Sequence, residues 1–479
     1  MKDFKNYING KWVTSAHSIN VINPVDESIS AKIYEASPEQ VQEALESAQK
    51  AQKAWSRLTG VDRGYVMRKW AALIDRNKTK LANLLTEEVG KPITESLGEI
   101  DFGNNWLKYY AEFDRRIEGE WMSPDNPGEV MWNIPQPIGV VVGIIAWNFP
   151  FAMALRKIAP AMITGNAIVF KPHEDTSMTA LALVELGEKA GLPPGIVNVV
   201  CGYGNTVGVQ LVKSEIPQLS TFTGGSETGK KITKMAANNL TTISMELGGK
   251  APMVILNDAD LDMSVENAYS ARMLNCGQAC ICNERTYVQS GIADKFIKKF
   301  IKKMQKTRVG DPFKRGTQIG PKINKTELEK VRKYVNKAKK QGAEIALGGD
   351  LLKGGMFNKG YWYQPTVILN PTQNMEIMQK EIFGPVIPIM QFDSFEEGIQ
   401  LANDTKFGLA GYIMTNDMNK IMRAVRDMEV GELYVNRSLA ESIHGYHAGW
   451  KNSGIGGDDG KHGLEHYMRR KTVYLKYQV

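Results

Sequence analysis

The chain has little cysteine, with only four cysteines among 479 residues. So low a content excludes the disulfide-dense scaffolds of small secreted domains. It also argues against structural zinc, which usually needs four nitrogen or sulfur ligands arranged as paired Cys-x2–4-Cys elements. Three of the cysteines, Cys276, Cys280 and Cys282, cluster without a second pair or a nearby histidine. No metal site is therefore expected.

The chain also lacks long hydrophobic runs. The longest, residues 138–147, is about half the length that a membrane helix needs. The amino terminus has no apolar segment typical of a signal peptide. The net charge of +7 is spread along the sequence without a basic tract, so neither nucleic acid nor membrane is expected as a partner. We expect a cytoplasmic protein of roughly two or three domains.

The cysteine-rich stretch at residues 275–285 is the strongest candidate for chemistry. A disulfide between Cys280 and Cys282 would be strained, and a free cysteine is most often a small buried hydrophobic residue. Gly277 and Gln278, however, favour a bend that brings the backbone close to a ligand. A nucleophilic Cys280 is the preferred interpretation, and it requires a base and an oxyanion site nearby.

Buried apolar segments alternate with helical patterns from residue 139 onward. The predicted strands are 140–146, 167–171, 196–200, 219–222 and 242–245. This alternation predicts a doubly wound parallel sheet, which binds ligands beyond the carboxyl ends of its strands. A second alternating set, from residue 253 to about 436, predicts a further α/β unit.

Local signals predict the structure of the remaining parts. Asn9-Gly10 predicts a hairpin with a type I′ turn. Ser37, Pro38 and Gln40 predict the start of a capped helix. Four prolines divide residues 119–138 into two extended pieces, and the alternation in residues 472–476 predicts an edge strand.

Three motifs together resemble the aldehyde dehydrogenase family. They are Trp-Asn-Phe-Pro at 147–150, Met-Glu-Leu-Gly-Gly-Lys at 245–250 and Asn-x-Gly-Gln-x-Cys at 275–280. The resemblance covers essentially the whole chain and implies an α/β fold with a Rossmann-type NAD-binding domain, an α/β catalytic domain and a small β oligomerisation arm. The implied bounds are 1–118 and 139–247 for the NAD-binding domain, 248–450 for the catalytic domain, and 119–138 and 460–479 for the arm.

The resemblance also implies the catalytic roles. Cys280 would attack an aldehyde, the Asn148 amide and the Cys280 N–H would hold the oxyanion, and Glu246 would activate water against the thioester. A base at Glu246 favours hydrolysis over release of the acyl group to coenzyme A. The alternative interpretation of Glu246 is a strand-end carboxylate paired with a lysine such as Lys250.

An NAD site follows from the same resemblance. Lys171 and Glu174 would bind the adenosine ribose, and a carboxylate at 174 would repel a 2′-phosphate, so NAD is expected over NADP. Gly224 and Gly225 precede a predicted helix whose free N–H groups suit a pyrophosphate. Gly225 and His173 stand where the family often carries serine. The remaining residues expected at the cofactor are Ile145, Trp147, Gly204, Gly208, Phe222, Gly229, Leu247, Glu381 and Phe383.

The expected substrate is a small aldehyde. Residues 432–437 and 445–450 resemble the bacterial lactaldehyde and glycolaldehyde branch of the family, which implies a polar pocket containing Arg156, Glu441 and His447. Such a pocket suits a short 2-hydroxyaldehyde, because a site built to bond a hydroxyl rejects analogues that lack it. The alternatives are that Arg156 forms only a structural ion pair and that His447 is only structural. The alternative function is a broad-specificity or semialdehyde dehydrogenase, with NADP as a possible cofactor. The family's arm implies a homotetramer or homodimer.

Overall fold

The computed structural model describes residues 2–478 and builds the chain around two large sheets. Met1 and Val479, which the expected domain bounds include, lie outside the described residues. The first sheet has eight strands, in the spatial order Gly454–Ile455, Thr242–Glu246, Leu219–Thr223, Val140–Ile144, Ala167–Lys171, Val197–Val199, Asn6–Ile8 and Lys11–Val13. Its five central strands are parallel. They confirm the five predicted strands, with small shifts at their ends.

Helices cover both faces of this sheet. They are Pro38–Trp55, Gly60–Val89, Ile93–Ala111, Pro150–Ile163, Met178–Lys189, Val209–Lys213, Ser226–Ala236 and, near the carboxyl terminus, Gly460–Glu465. The first begins at the predicted capping box, in which Ser37 accepts from the Gln40 N–H and the Gln40 side chain accepts from the Ser37 N–H. Every residue of Pro150–Ile163 is buried, which suits a helix packed between the sheet and other helices.

The second sheet has seven strands. In spatial order they are Glu344–Leu347, Thr366–Leu369, Val386–Phe392, Arg285–Gln289, Pro252–Ile255, Ala410–Met414 and Glu432–Val435. All pairs are parallel except the first. The helices of this part are Leu261–Met273, Ser290–Gln305, Lys325–Lys340, Glu376–Gln379, Phe395–Asn403 and Met418–Asp427. The prediction of a second α/β set is therefore confirmed.

Separate apolar cores lie under the two sheets. One extends from Tyr7 to Leu247 and includes Leu464 and Tyr467 near the carboxyl terminus. Two further apolar cores consist of buried residues between Ala251 and Tyr434. The exact domain bounds stay a prediction.

The proline-rich segment and the carboxyl-terminal tail form one three-stranded antiparallel sheet. Its strands are Glu120–Met122, Glu129–Pro137 and Met468–Lys476, with Glu129–Pro137 in the middle. The tail pairs with the middle strand from Met468 opposite Pro137 to Lys476 opposite Glu129. The predicted edge strand is thus confirmed and is longer than residues 472–476.

The remaining elements are short. A small sheet contains Lys2–Phe4, Ile29–Tyr34 and Ser18–Ile22, and a two-stranded ladder joins Phe407–Gly408 to Trp450–Lys451. The 3-10 turns are Glu112–Arg115, Glu174–Thr176, Ala237–Asn239, Leu274–Gly277 and Gly355–Asn358, and Gly204–Gly208 is a π-helical turn. Asn9 and Gly10 both have positive φ, as the predicted type I′ hairpin requires. Across residues 2–478, we find no helix with the length and hydropathy that crossing a membrane requires.

Candidate active site

Cys280 follows a turn with an unusual backbone. Asn275, Cys276 and Gly277 have φ values of 48°, 58° and 72°, so three successive residues are left-handed. A Cβ at Gly277 would lie 2.2 Å from the carbonyl oxygen of Gly384, so only glycine fits there. Left-handed non-glycine residues are strained and persist only where surrounding contacts hold them.

Two charged side chains hold this turn. Arg272 donates to the carbonyl oxygens of Gly277 and Gly384 at 3.0 and 2.8 Å. The Asn275 N–H donates to the Glu95 carboxylate at 2.9 Å. The strained backbone before Cys280 is therefore stabilised by contacts from separate parts of the chain.

The cysteines differ in exposure. Cys280 is partly exposed, whereas Cys276 and Cys282 are buried. Burial raises the pKa of Cys276 to about 11 and that of Cys282 to about 12. Both therefore stay neutral thiols near neutral pH and act as packing residues.

Asn148 lies between the strand Val140–Ile144 and the helix Pro150–Ile163 and is buried. Its side-chain amide donates to the Gln278 carbonyl oxygen at 3.0 Å. Its own carbonyl oxygen accepts from Lys91 at 2.8 Å and from the Asn275 amide at 2.9 Å. The Asn148 side chain is thus oriented towards the turn that carries Cys280.

Glu246 ends the strand Thr242–Glu246 and is 2% exposed. Among the described residues, neither of its carboxyl oxygens has a hydrogen-bond partner. Burial, only partly offset by nearby cations, raises the pKa of Glu246 to about 8. Lys250 forms an ion pair with Glu284 at 2.9 Å instead, which removes Lys250 as the partner of Glu246.

Cys280 lines two cavities. One, of about 130 Å³, also contains Asn148, Glu246, Leu247, Glu381 and Phe383 in its wall. The other, of about 290 Å³, is bounded by Phe102, Trp106, Phe149 and Met153 together with charged residues. Cys280 and Met153 line both cavities, so Cys280 lies where the two chambers meet.

A cleft of about 440 Å³ lies at the carboxyl ends of the first sheet and joins the smaller cavity through Trp147 and Gly224. The predicted cofactor residues that line it are Ile145, Trp147, Lys171, Glu174, Gly204, Gly208, Phe222, Gly224 and Gly225. Gly229 is not among the described lining residues. A Cβ there would meet Leu247 at 2.5 Å, so this glycine allows close packing on Leu247.

The cleft fits a dinucleotide. Gly225 precedes the helix Ser226–Ala236, and no side chain caps that helix end. A Cβ at Gly225 or Gly204 would meet nothing within 4 Å, so there is open space beside both of these cleft-lining glycines. An uncapped helix amino terminus facing open space suits a phosphate group.

The other end of the cleft carries the ribose-binding candidates. The Lys171 ammonium lies 3.5 Å from a Glu174 oxygen. His173 also lines the cleft, with its ring 3.9 Å from Glu174 and 3.7 Å from Asp175. The carboxylate predicted to select against a 2′-phosphate is thus accompanied by one lysine and one histidine.

Glu381 and Phe383 line the smaller cavity. Glu381 accepts from the Gly249 N–H at 2.9 Å. Phe383 has φ 58° and contacts Trp147 edge-on, with ring centroids 5.4 Å apart. Glu284 accepts from the Ile382 and Phe383 N–H groups at 2.7 and 3.0 Å, so this buried carboxylate positions the segment.

Sequence reasoning did not identify Glu284. Although burial acts in the opposite direction, Arg272 and Lys250 lower the pKa of Glu284 to about 2. Its position inside the cysteine-rich stretch at residues 275–285 was the sequence feature that could have identified it. Its partners were not visible, because Ile382 is distant in sequence.

Arg156 and Glu441 both line the larger cavity. Arg156 is buried, donates to Asp459 at 3.0 and 2.5 Å and to Glu441 at 2.9 Å, and its guanidinium stacks 4.4 Å from the Trp106 ring. The ion pair foreseen as the alternative therefore exists, and the residue also reaches the cavity wall. Asp459 and Trp106 were not foreseen.

His447, predicted to contact the substrate, is buried beside Glu246. It is 2% exposed and is not among the described residues that line these cavities. Its Nδ1 lies 3.0 Å from Glu432, and its Nε2 lies 3.4 Å from Glu246. The structure thus places His447 beside the candidate base, and its predicted contact with substrate stays a prediction.

A sequence model of the aldehyde dehydrogenase family matches residues 12–473. The chain belongs to this family of oxidoreductases. It is 41% identical over 479 residues to the 3,6-anhydro-alpha-L-galactose dehydrogenase of Vibrio sp. (strain EJY3), with 100% of both chains covered. It is 41% identical over 473 residues to the lactaldehyde dehydrogenase of Escherichia coli (strain K12), with 98% of both covered.

Solved structures agree with this assignment. The structure of lactaldehyde dehydrogenase from Escherichia coli matches with a TM-score of 0.97 at 41% identity, covering 99% of both chains. Betaine aldehyde dehydrogenase from Staphylococcus aureus in complex with NAD+ matches with a TM-score of 0.97 at 36% identity, covering 99% of this chain and 96% of that one. The aldehyde dehydrogenase-like fold is therefore established.

Proposed function

We propose that this protein oxidises short 2-hydroxyaldehydes, such as lactaldehyde, glycolaldehyde and glyceraldehyde, to carboxylic acids with NAD. The observation that carries the proposal is the position of Cys280 between two chambers, beside Asn148 and a buried Glu246 without a hydrogen-bond partner. A nucleophile, an amide donor and a base are the parts that oxidation of an aldehyde through a thioester needs.

The first step is addition of the Cys280 thiolate to the aldehyde carbon. The C–S bond forms while the carbonyl π bond breaks, and the oxygen becomes an oxyanion. The Asn148 amide and the Cys280 N–H donate to this oxygen, and loss of one such donor typically costs ~10²–10³ in rate. The hydrogen bond that the Asn148 amide donates to the Gln278 carbonyl oxygen keeps this amide in place before substrate arrives.

The second step leaves an acyl group on Cys280. The cleft residues, with Glu381 and Phe383, would hold a nicotinamide dinucleotide, which accepts the hydride that leaves the former aldehyde carbon. Glu246 then takes a proton from water as that water attacks the thioester. The C–S bond breaks, the acid leaves and the Cys280 thiolate is restored.

The charges of the larger cavity favour a hydroxylated substrate over a semialdehyde. Its charged wall residues are Arg156 and the acids Glu95, Glu99 and Glu441. Arg156 is already paired with two carboxylates, so a substrate carboxylate would meet acids without a free cation. A hydroxyl, by contrast, can accept from Arg156 and donate to Glu441, which supports a 2-hydroxyaldehyde.

NAD is proposed over NADP because Glu174 lies in the cleft beside Lys171. A carboxylate there accepts from a ribose 2′-hydroxyl and repels a 2′-phosphate. Four free cysteines suit the reducing cytoplasm, which we propose as the location. We further propose a homodimer or homotetramer built through the three-stranded arm.

A substrate and cofactor panel tests the proposal. Lactaldehyde, glyceraldehyde, propanal and succinate semialdehyde are each assayed with NAD and with NADP. We expect kcat/KM for the hydroxyaldehydes to exceed that for propanal by at least ~10-fold. The reason is that propanal lacks the 2-hydroxyl, so its hydrogen bonds with Arg156 and Glu441 cannot form. Equal kcat/KM for propanal and lactaldehyde would remove the polar-pocket argument.

Two other functions give different outcomes. A nucleotide-binding protein without turnover would bind NAD but show no aldehyde-dependent reduction with any substrate. An enzyme that releases its acyl group to coenzyme A would form a thioester product and would not depend on Glu246.

A further inference from the structure

His447 joins two carboxyl groups inside the protein. Its Nδ1 lies 3.0 Å from Glu432 and its Nε2 lies 3.4 Å from Glu246. The imidazole is 3% exposed and the Glu432 side chain 13%. The two ring nitrogens therefore face one acid each, in a region that holds little water.

The backbone fixes this orientation. The His447 N–H donates to the Asp458 carbonyl oxygen at 3.0 Å, and the Asp458 N–H donates to the His447 carbonyl oxygen at 2.8 Å. Glu432 lies on the strand Glu432–Val435 and also accepts from the Tyr434 hydroxyl at 2.8 Å. The carboxylate on the far side of His447 is thus held by the edge strand of the second sheet.

The other cations near Glu246 are already paired. Lys157 forms a buried ion pair with Asp458 at 2.6 Å. Arg156 is shared between Asp459 and Glu441. The hydroxyls of Tyr434 and Tyr446 are neutral near neutral pH, because burial raises the pKa of both groups. His447 is therefore the cation that lies directly against Glu246.

We propose that the Glu432–His447 pair is a built-in positioning device, in which Glu432 holds His447 as an imidazolium and that cation keeps Glu246 available as the base for thioester hydrolysis. His447 acts on Glu246 directly, and Glu432 acts through His447. The proposal rests on the proposed function, and it assigns to His447 a role distinct from contact with substrate.

The directions of the pKa shifts agree with this arrangement. Burial and Arg156 act to lower the pKa of His447, but Glu432 and Glu246 raise it well above its ordinary value. Burial is the main cause that raises the pKa of Glu246, and His447 is the largest influence that lowers it. Removing the cation therefore moves the pKa of Glu246 upward, so less of it is ionised near neutral pH.

The test compares the pH dependence of the NADH burst with that of the steady-state rate. In Glu432→Gln and His447→Gln, the acid limb of the steady-state rate should move up by about 1 pH unit, which is a ~10-fold loss below the limb. Glu432→Asp, which keeps the carboxylate, should restore most of the wild-type profile. The matched controls are His462→Gln and Glu465→Gln, a histidine–carboxylate pair on the surface, and they should leave the limb unchanged.

A second measurement uses the wild-type protein. The ¹⁵N-labelled imidazole nitrogen resonances of the chain's six histidines report protonation directly, and the resonances of His447 are identified by substituting each of the other five histidines in turn. An imidazolium at His447 at pH 7.5 is expected, and a neutral ring would overturn the proposal even if the variants fail to fold. An unchanged limb in a folded Glu432→Gln enzyme would overturn it too. If the wild-type chain itself reduces no NAD with any aldehyde, the proposed function fails instead.

Discussion

Glu246 and Glu284 are both buried glutamates, and their pKa values move in opposite directions. Glu284 contacts Lys250 and Arg272 and accepts two backbone N–H groups, and these charges lower its pKa to about 2. Glu246 has no such hydrogen bonds, and burial raises its pKa to about 8. The first is therefore suited to structure, and the second to exchanging a proton near neutral pH.

Glu246→Gln should separate the two halves of the reaction. Glutamine cannot take a proton from water, so we expect one burst of NADH per active site followed by a steady-state rate lower by ~10²–10⁴. In the wild type, the steady-state rate should rise as the pH passes through about 8, since only the ionised Glu246 is a base. Stopped-flow absorbance at several pH values measures both. A variant that continues to turn over normally would show that another group is the base.

Glu174→Ala tests the cofactor preference. Removing the carboxylate beside Lys171 removes a repulsive charge, so kcat/KM with NADP should rise relative to NAD by ~10-fold or more. Steady-state kinetics with both nucleotides measures the ratio. Glu185→Gln, a surface carboxylate paired with Lys189, serves as the control. An unchanged ratio of kcat/KM with NADP to kcat/KM with NAD would mean that Glu174 does not distinguish a ribose 2′-hydroxyl from a 2′-phosphate.

At the scale of elements, a loop far along the chain is held by the cysteine stretch. In the segment that carries Glu381 and Phe383, the N–H groups of Ile382 and Phe383 donate to the Glu284 carboxylate. Phe383 also adopts positive φ, a conformation that an aromatic residue keeps only under such constraint.

Glu284→Gln should weaken this element. It leaves Lys250 and Arg272 buried without their anion, so we expect the free energy of unfolding to fall by about 3–5 kcal/mol. Because the folded pKa of Glu284 is lowered from 4.5 to about 2, its contribution is present above pH 4.5 and is lost as the pH falls towards 2. Denaturant unfolding at pH 7 and at lower pH measures this.

The control for Glu284→Gln is Glu376→Gln, which breaks the surface pair with Lys337. That change should cost less than about 1 kcal/mol. Equal costs for both variants would show that the buried network does not stabilise the loop.

At the scale of the whole molecule, the arm presents apolar side chains to solvent. Trp121 is 65% exposed and Tyr474 is 76% exposed, and the strands that carry them flank Glu129–Pro137. Exposed aromatic residues on a protruding sheet are typical of an interface between chains.

Trp121→Glu combined with Tyr474→Glu should shift the assembly towards the monomer. Burying two new carboxylates in an interface costs several kcal/mol without a partner charge. Sedimentation velocity measures the species present, and Tyr65→Glu, on the exposed surface of Gly60–Val89, is the matched control. A wild-type chain that sediments as a monomer would contradict the proposed assembly.

Much of the fold and part of the site could be predicted from the sequence. The central strands, the hairpin at Asn9-Gly10 and the capped helix at Ser37 follow from local periodicity and turn chemistry, which depend on neighbours in the chain. Cys280, Glu246 and Asn148 were predicted from motifs that resemble a family. The structure places all three around one cavity, and their catalytic roles stay predictions.

By itself, the sequence indicated the candidate residues for chemistry, the five central strands and the helix that begins at Pro38. Only the tertiary structure decided their partners: Lys250 with Glu284, Arg156 with Asp459 and Glu441, and His447 with Glu432 and Glu246. The reason is physical. Burial and charge–charge contact set the protonation of these groups, and both arise only when distant parts of the chain pack together.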